Sequence, residues 1–152
     1  MTPVRTAEPA DAEAIGRLLY DFNHEYDYAT PEPGVLAQRL RQLMATGDTA
    51  VLLAGDGPDG LALLRFRTSL WTEGLECYLA ELYVVPDRRG NGLGRALMNA
   101  AIELARARGA DYMELNTGED DVAARALYES LGFSRTEGKA DGSVQYYYER
   151  EL

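Results

Sequence analysis

The stretch Glu81-Leu-Tyr-Val-Val-Pro-Asp-Arg-Arg-Gly-Asn-Gly-Leu-Gly-Arg-Ala-Leu-Met98 joins a strand to a helix. The apolar run before Pro86 continues an alternating segment that starts at Leu75. Pro86 ends it, because proline has no N–H to give to a ladder. From Gly92 to about Arg108 the pattern is helical. Leu93, Leu97, Ala100, Ala101 and Leu104 share one face, and Gly109 suits a C-terminal cap. Between strand and helix, Gly90, Gly92 and Gly94 leave the backbone bare at alternate positions. Several amide N–H groups can then converge on one anion, with the helix dipole adding partial positive charge. Arg88, Arg89 and Arg95 gather at the same place in a chain whose net charge is −10. The turn is therefore read as a pyrophosphate site.

Two other phosphate motifs do not fit. The dinucleotide fingerprint G-x-G-x-x-G needs a different spacing and an early strand before it, whereas this turn reads G-x-G-x-G after a long run of strands. A P-loop needs Gly-Lys-Ser/Thr, which is absent here.

Nearer the N-terminus, Val4 to Ala7 reads as a strand. Pro9 and Asp11 open a helix with Ala14, Ile15, Leu18 and Leu19 on its apolar face. The acidic and aromatic stretch from Asp21 to Tyr28 is expected to leave that helix. A second helix is expected from about Gly34 to Ala45, with Val35, Leu36, Leu40 and Leu43 inward. Thr49 to Ala54 and Leu61 to Phe66 read as a hairpin around the Gly55–Gly60 turn. Leu75 to Val85 is the long strand. After the Gly92 helix come a strand at Tyr112 to Asn116, a helix at Val122 to Leu131, and two strands at Phe133 to Thr136 and Val144 to Glu149. The order is β-α-α-β-β-β-α-β-α-β-β. It predicts one α/β (α+β) domain over residues 1–152. Its sheet would be mixed and mostly antiparallel, with a central parallel pair flanked by helices.

Composition narrows the functions. One Cys (Cys77) and one His (His24) exclude an intrachain disulfide and argue against a metal site. Cys77, in an apolar stretch, reads as a small buried hydrophobe. The acidic balance argues against nucleic acid, whose phosphates need a basic face. No apolar run approaches the length of a membrane span, and the N-terminus lacks a signal-peptide pattern. A cytoplasmic protein with no membrane partner is the expectation. Acidity either keeps the chain soluble or draws a cationic substrate.

The Glu81–Met98 stretch, with its core Arg89-Gly-Asn-Gly-Leu-Gly94, resembles motif A of the GNAT superfamily of N-acetyltransferases. Ala124-Arg-Ala-Leu-Tyr-Glu-Ser-Leu-Gly-Phe133 resembles motif B, at the family's usual separation, and the element order matches along essentially the whole chain. In one place the pattern differs: many relatives carry Asn three residues before the Ala of motif B, and this chain has Asp121. Asn116 stands earlier, at the end of its strand.

The resemblance implies direct attack of a primary amine on acetyl-CoA in a ternary complex. Arg89, Gly90, Asn91, Gly92, Leu93, Gly94 and Arg95 would hold the cofactor. Main-chain groups of Leu82, Tyr83, Val84 and Val85 would bind the pantetheine and the acetyl carbonyl. Tyr128 would protonate the leaving sulfur, and a phenol with a pKa of about 10 is protonated at neutral pH. The alternative for Tyr128 is packing on the sheet.

A lysine-like amine is neutral in only about one molecule per thousand at pH 7.4, so a general base or a water chain would help. Strict strand alternation puts Leu75, Cys77, Leu79, Glu81, Tyr83 and Val85 on one face. A carboxylate among apolar neighbours has a raised pKa, which suits a base, so Glu81 is the candidate. A structural carboxylate is the alternative.

Phe22, His24, Glu25, Tyr26, Asp27 and Tyr28 could hold a cationic amine by ion pairing and cation–π contact, or form a solvated loop. Trp71 and Glu73 are a second possible wall. Tyr146, Tyr147 and Tyr148 suit packing or a homodimer contact. Two readings compete with the enzyme: a non-catalytic acyl-CoA-binding regulatory module, and a nucleotide-binding protein of another fold.

Overall fold

A computed structural model describes residues 3–152. The chain divides into two compact units, one reaching Met113 and the other spanning Glu114–Leu152, and each is described by itself.

The first unit holds most of a five-stranded sheet. Its strands are β1 (Val4–Thr6), β2 (Thr49–Ala54), β3 (Gly60–Thr68), β4 (Leu75–Val84) and β5 (Ala110–Leu115), side by side in chain order. β1 to β4 pair antiparallel. β5 joins β4 in parallel, so the parallel pair lies at the edge of this sheet and not at its centre. The expected central position needed two more strands beyond β5. Those segments, Phe133 to Thr136 and Val144 to Glu149, meet only at the antiparallel bridge Thr136–Val144 among the described residues. Backbone bonds from Glu137 N–H to the Ser143 carbonyl and from Gln145 N–H to the Arg135 carbonyl flank it, both at 2.9 Å.

Both faces of the sheet are covered. β2 is buried at all six residues, as a strand between two layers must be. Val51 and Leu53 of β2 and Leu61 and Leu63 of β3 pack with Ile15 and Leu18 of α1 (Ala12–Glu25) and with Ala37 and Leu40 of α2 (Pro33–Ala45). The other helix of this unit is α3 (Leu93–Ala107), which buries Leu93, Leu97, Met98, Ala101 and Ala105. In α2 the inward stripe differs from the expected one. Ala37 is buried and Val35 is exposed, because a small residue suits the close approach of α1.

α1 runs one turn further than its acidic sequence suggested. Phe22 extends the apolar face and packs on the core, and His24 stacks on Tyr20 at 5.8 Å, holding that last turn in the helix. The helix closes in a Schellman arrangement. The Tyr28 N–H reaches the Asn23 carbonyl at 2.8 Å and the Asp27 N–H reaches the His24 carbonyl at 3.3 Å. Asp27 sits at φ 59° there, a left-handed conformation that Asp tolerates better than most residues.

In the second unit, α4 (Val122–Ser130) starts at Asp121, whose side chain accepts from the Ala124 N–H at 3.1 Å. Asp121 thus serves as an N-cap.

The α1–α2 contact yields a test. A Cβ at Gly16 would lie 2.6 Å from the Pro33 carbonyl oxygen and 3.1 Å from the Ala37 nitrogen. Gly16→Ala gains up to ~1 kcal/mol of helix propensity but overpacks a backbone contact, at a cost of ~1–3 kcal/mol. A net loss on the order of 1 kcal/mol is expected. Urea unfolding measures it, and a raised midpoint would contradict the contact.

Candidate active site

The long strand β4 carries an irregularity that the alternating sequence hides. Leu63 of β3 pairs with Glu81, yet the next residue, Leu64, pairs with Leu79. Ala80 is therefore an extra residue, a β-bulge. The bulge reverses side-chain parity. Cys77 and Leu79 share a face with Phe66 and Leu64, whereas Glu81 and Tyr83 share the opposite face with Leu63 and Leu61. Ala80, Tyr83 and Val85 pack into the α1–α2 core. The expected single face from Leu75 to Val85 is thus two faces. Glu81 and Cys77 point into different layers.

Cys77 is fully buried, and burial raises its thiol pKa to about 11. It is an inert core residue, as composition indicated. Glu81 is partly buried, and desolvation alone raises its carboxyl pKa. Its carboxylate makes no hydrogen bond or ion pair among the described residues.

Past Glu81 the backbone of β4 is already engaged on one side. Leu82, Tyr83 and Val84 pair with Ala62, Leu61 and Gly60. The Val85 N–H donates to the Asp59 carbonyl at 2.9 Å. On the other side the parallel pair begins with the Leu75 N–H donating to the Gly109 carbonyl at 3.0 Å. β4 has 10 residues and β5 has 6, so the last residues of β4 outrun their neighbour.

The glycine turn follows. Gly90 and Gly92 have φ of 78° and 82°, the left-handed region that costs an L side chain about 1–2 kcal/mol. A Cβ at either position would meet nothing within 4 Å, so the space beside the turn is open. Gly92 is the N-cap of α3 and no side chain caps that helix. The first intrahelical bond runs from the Ala96 N–H to the Gly92 carbonyl at 3.0 Å. The N–H groups of Leu93, Gly94 and Arg95 therefore lack intrahelical acceptors and form the donor set an anion needs. Asn91 folds the turn from behind, its amide donating to the carbonyls of Arg88 and Arg89.

The three arginines behave differently from one another. Arg88 pairs with Asp59 at 3.1 Å. Arg89 forks onto Glu25 at 2.8 and 2.9 Å, and its Nε donates to the Val84 carbonyl at 2.9 Å. Arg95 makes no hydrogen bond or ion pair among the described residues. Glu25 is held below its ordinary pKa by Arg89 first and by the Tyr83 hydroxyl as well. The Tyr83 phenol is pushed up to about 12 by burial and then by Glu25. Glu25, a candidate for holding a cationic amine, is paired with Arg89 instead, and spacing could not foresee that pair or Asp59 with Arg88, 64 and 29 residues apart.

In the second unit Tyr128 is 7% exposed and meets Phe133 edge to face at 6.2 Å. Burial, with a smaller contribution from Asp121, raises its pKa to about 12. The hydroxyl is firmly protonated at neutral pH. No group of three or more His, Cys, Asp or Glu able to hold a metal occurs among the described residues. No described helix is long and apolar enough to cross a membrane.

The sequence pattern of the Acetyltransferase (GNAT) family matches residues 15–133. The chain belongs to that family. It is 37% identical over 111 residues to a mycothiol acetyltransferase of Beutenbergia cavernae, which covers 68% of this chain and 36% of that protein. The chain thus matches about a third of that relative's length. It is 32% identical over 141 residues to an aminoglycoside N(6')-acetyltransferase type 1 of Stenotrophomonas maltophilia, covering 88% and 87% of the two. A crystal structure of a protein from Arthrobacter sp. FB24, described as an acetyltransferase, superposes with a TM-score of 0.91 at 45% identity, covering 100% and 97% of the two chains. The GNAT fold is therefore shared along the whole chain.

The raised pKa of Glu81 has a measurable consequence. A carboxyl that binds its proton more tightly when folded weakens the fold as pH climbs from its unfolded value of 4.5 through its folded one. Glu81→Gln should therefore melt higher than wild type at pH 7, and the gain should vanish below about pH 4. An equal gain at both pH values would rule out burial of the charge as its source.

Proposed function

We propose that this GNAT chain transfers the acetyl group of acetyl-CoA to a primary amine of a small cationic molecule, with residues 1–152 as one catalytic domain. The observation that carries the reading is the uncapped N-terminus of α3 behind two left-handed glycines with open space beside them. Those features fit a pyrophosphate, whose oxygens would accept from the N–H groups of Gly92, Leu93, Gly94 and Arg95. Gly90 and Asn91 shape the turn, and Arg95 adds positive charge.

When bound, acetyl-CoA supplies a thioester carbonyl as the electrophile. The chain supplies the rest. Main-chain groups of Leu82–Val85, at the end of β4, orient that carbonyl and stabilise charge on its oxygen. Glu81, with its proton affinity raised by desolvation, takes a proton from the incoming amine directly or through water. Tyr128, protonated at neutral pH, gives a proton to the departing sulfur.

The acceptor reading rests on charge and on the relatives. The chain is acidic, and Asp21, Asp27, Tyr26 and Tyr28 are clustered at the exposed end of α1. Relatives are named mycothiol acetyltransferase and aminoglycoside N(6')-acetyltransferase, so aminoglycosides are among the first acceptors to try.

Acetyl-CoA at about 100 times its Kd should stabilise the chain by about 2.7 kcal/mol in a thermal melt. A thiol-release screen over amines then identifies the acceptor. Absence of any acetyl-CoA-dependent shift would defeat the proposal. Binding with no thiol release from any amine would favour the regulatory module instead.

Tyr128→Phe should lower turnover by about 10²-fold while acetyl-CoA affinity changes little. Unchanged turnover would remove Tyr128 as the acid. Glu81→Gln should flatten the acidic limb of the pH–rate profile, and an identical profile would remove Glu81 as the base.

A further inference from the structure

Arg89 lies in the glycine turn, yet three of its five N–H donors are committed elsewhere. NH1 and NH2 meet the two oxygens of Glu25 at 2.8 and 2.9 Å. Nε meets the carbonyl of Val84 at 2.9 Å. The guanidinium carbon also sits 5.6 Å from the centre of the Tyr83 ring. Tyr83 in turn donates its hydroxyl to Glu25 at 3.1 Å and stacks on Phe22 at 4.7 Å. Three elements are tied at one point: the last turn of α1, the end of β4 and the turn that leads into α3.

A bidentate fork of this kind fixes orientation as well as charge. With these three donors in place the guanidinium is fixed in orientation and cannot rotate to set a second fork onto a phosphate. Glu25 would compete with an anion for Arg89 if Arg89 were the anion's ligand. The same contacts instead brace the backbone from Val84 to Gly92, which leads into the donor set at the start of α3.

We propose that Glu25 is a positioning residue for acetyl-CoA. It holds Arg89 as a strut, so that the glycine-turn amides face the pyrophosphate and the Arg89 guanidinium does not contact it. The inference rests on the acetyl-CoA reading above and adds to it a residue from outside the turn. It also makes the end of α1, beside the acidic and aromatic segment, mechanically continuous with the cofactor loop.

The sign of one measurement separates strut from ligand. Acetyl-CoA binding is titrated calorimetrically for wild type, Glu25→Gln, Arg89→Gln, Arg89→Lys, Arg95→Gln and the Glu25→Gln/Arg89→Gln pair, at three salt concentrations. A strut predicts that Glu25→Gln and Arg89→Gln each weaken binding about five- to tenfold, and that the pair is no weaker than the worse single variant. Arg89→Lys should be as weak as Arg89→Gln, because an ammonium keeps the charge but cannot make the fork. The salt dependence of Kd should stay at the wild-type slope in the Glu25 and Arg89 variants and fall in Arg95→Gln.

Tighter binding in Glu25→Gln would overturn the proposal, since removing a competing carboxylate would then have freed a phosphate ligand. Near-wild-type binding in Arg89→Lys, or a reduced salt slope in Arg89→Gln, would overturn it equally. Wild type that binds no acetyl-CoA would overturn the functional reading itself. Wild-type binding with no change in Glu25→Gln or Arg89→Lys would overturn only the strut. Melting curves establish that each variant is folded, and the charge-conserving Arg89→Lys keeps the test decisive if Glu25→Gln is unstable.

Discussion

Ala80 stands in β4 with no partner of its own opposite the Leu63–Leu64 step, and the direction of every later side chain in the strand follows from it. In a regular strand of the same sequence, with no bulge, Glu81 would share a face with Cys77, away from α1 and α2. With the bulge, Glu81 and Tyr83 face the layer built by α1 and α2, and Tyr83 becomes the wall on which Phe22 stacks. A bulge also bends its strand and strengthens the local twist. The packing of Tyr83 in the α1–α2 core and the placement of Glu81 on that same face therefore share a cause. Both depend on the bulge at Ala80.

Electrostatics at the glycine turn is more economical than the arginine count suggests. Two of three guanidinium groups are matched by carboxylates, from the end of α1 and from the β2–β3 turn. Positive potential at the turn thus comes mainly from oriented backbone amides, the helix dipole and Arg95. In a chain of net charge −10, fixed dipoles have an advantage over mobile side chains. They cannot be drawn away by surrounding carboxylates, and they lose no rotamer entropy when an anion arrives.

Most of the architecture could be read in advance because hydrophobic period and punctuation agreed. The β2–β3 hairpin, α3 and α4 appear within a residue or three of their expected bounds, each framed by glycine, proline or a cap. The turn from Pro86 to Gly94 was legible for the same reason, since left-handed backbone demands glycine. What was not legible had no local marker. Ala80 is an ordinary strand residue, so nothing in composition announces a bulge there. The Glu25–Arg89 pair joins positions 64 residues apart, which only the folded sheet brings together. The acidic look of residues 21 to 25 concealed a helical turn, because Phe22 finds a core partner that propensity cannot foresee. The C-terminal segments had strand composition, but among the described residues their pairing is confined to one bridge.

The turn between β2 and β3 is the sort of exposed, glycine-rich hairpin end where chains are commonly lengthened without harm. Here it has a second duty. Asp59 closes the turn with its N–H on the Ala54 carbonyl at 2.8 Å, while its own carbonyl receives the Val85 N–H and its carboxylate receives Arg88. Any length change there moves a footing of the glycine turn. A lineage of such enzymes is free to remodel the tip at Leu70 and Trp71, both more than 80% exposed, but is held to a fixed length between Gly55 and Gly60. For anyone grafting a reporter or splitting the chain into complementing halves, the hairpin that looks most permissive on the surface is the wrong place to cut.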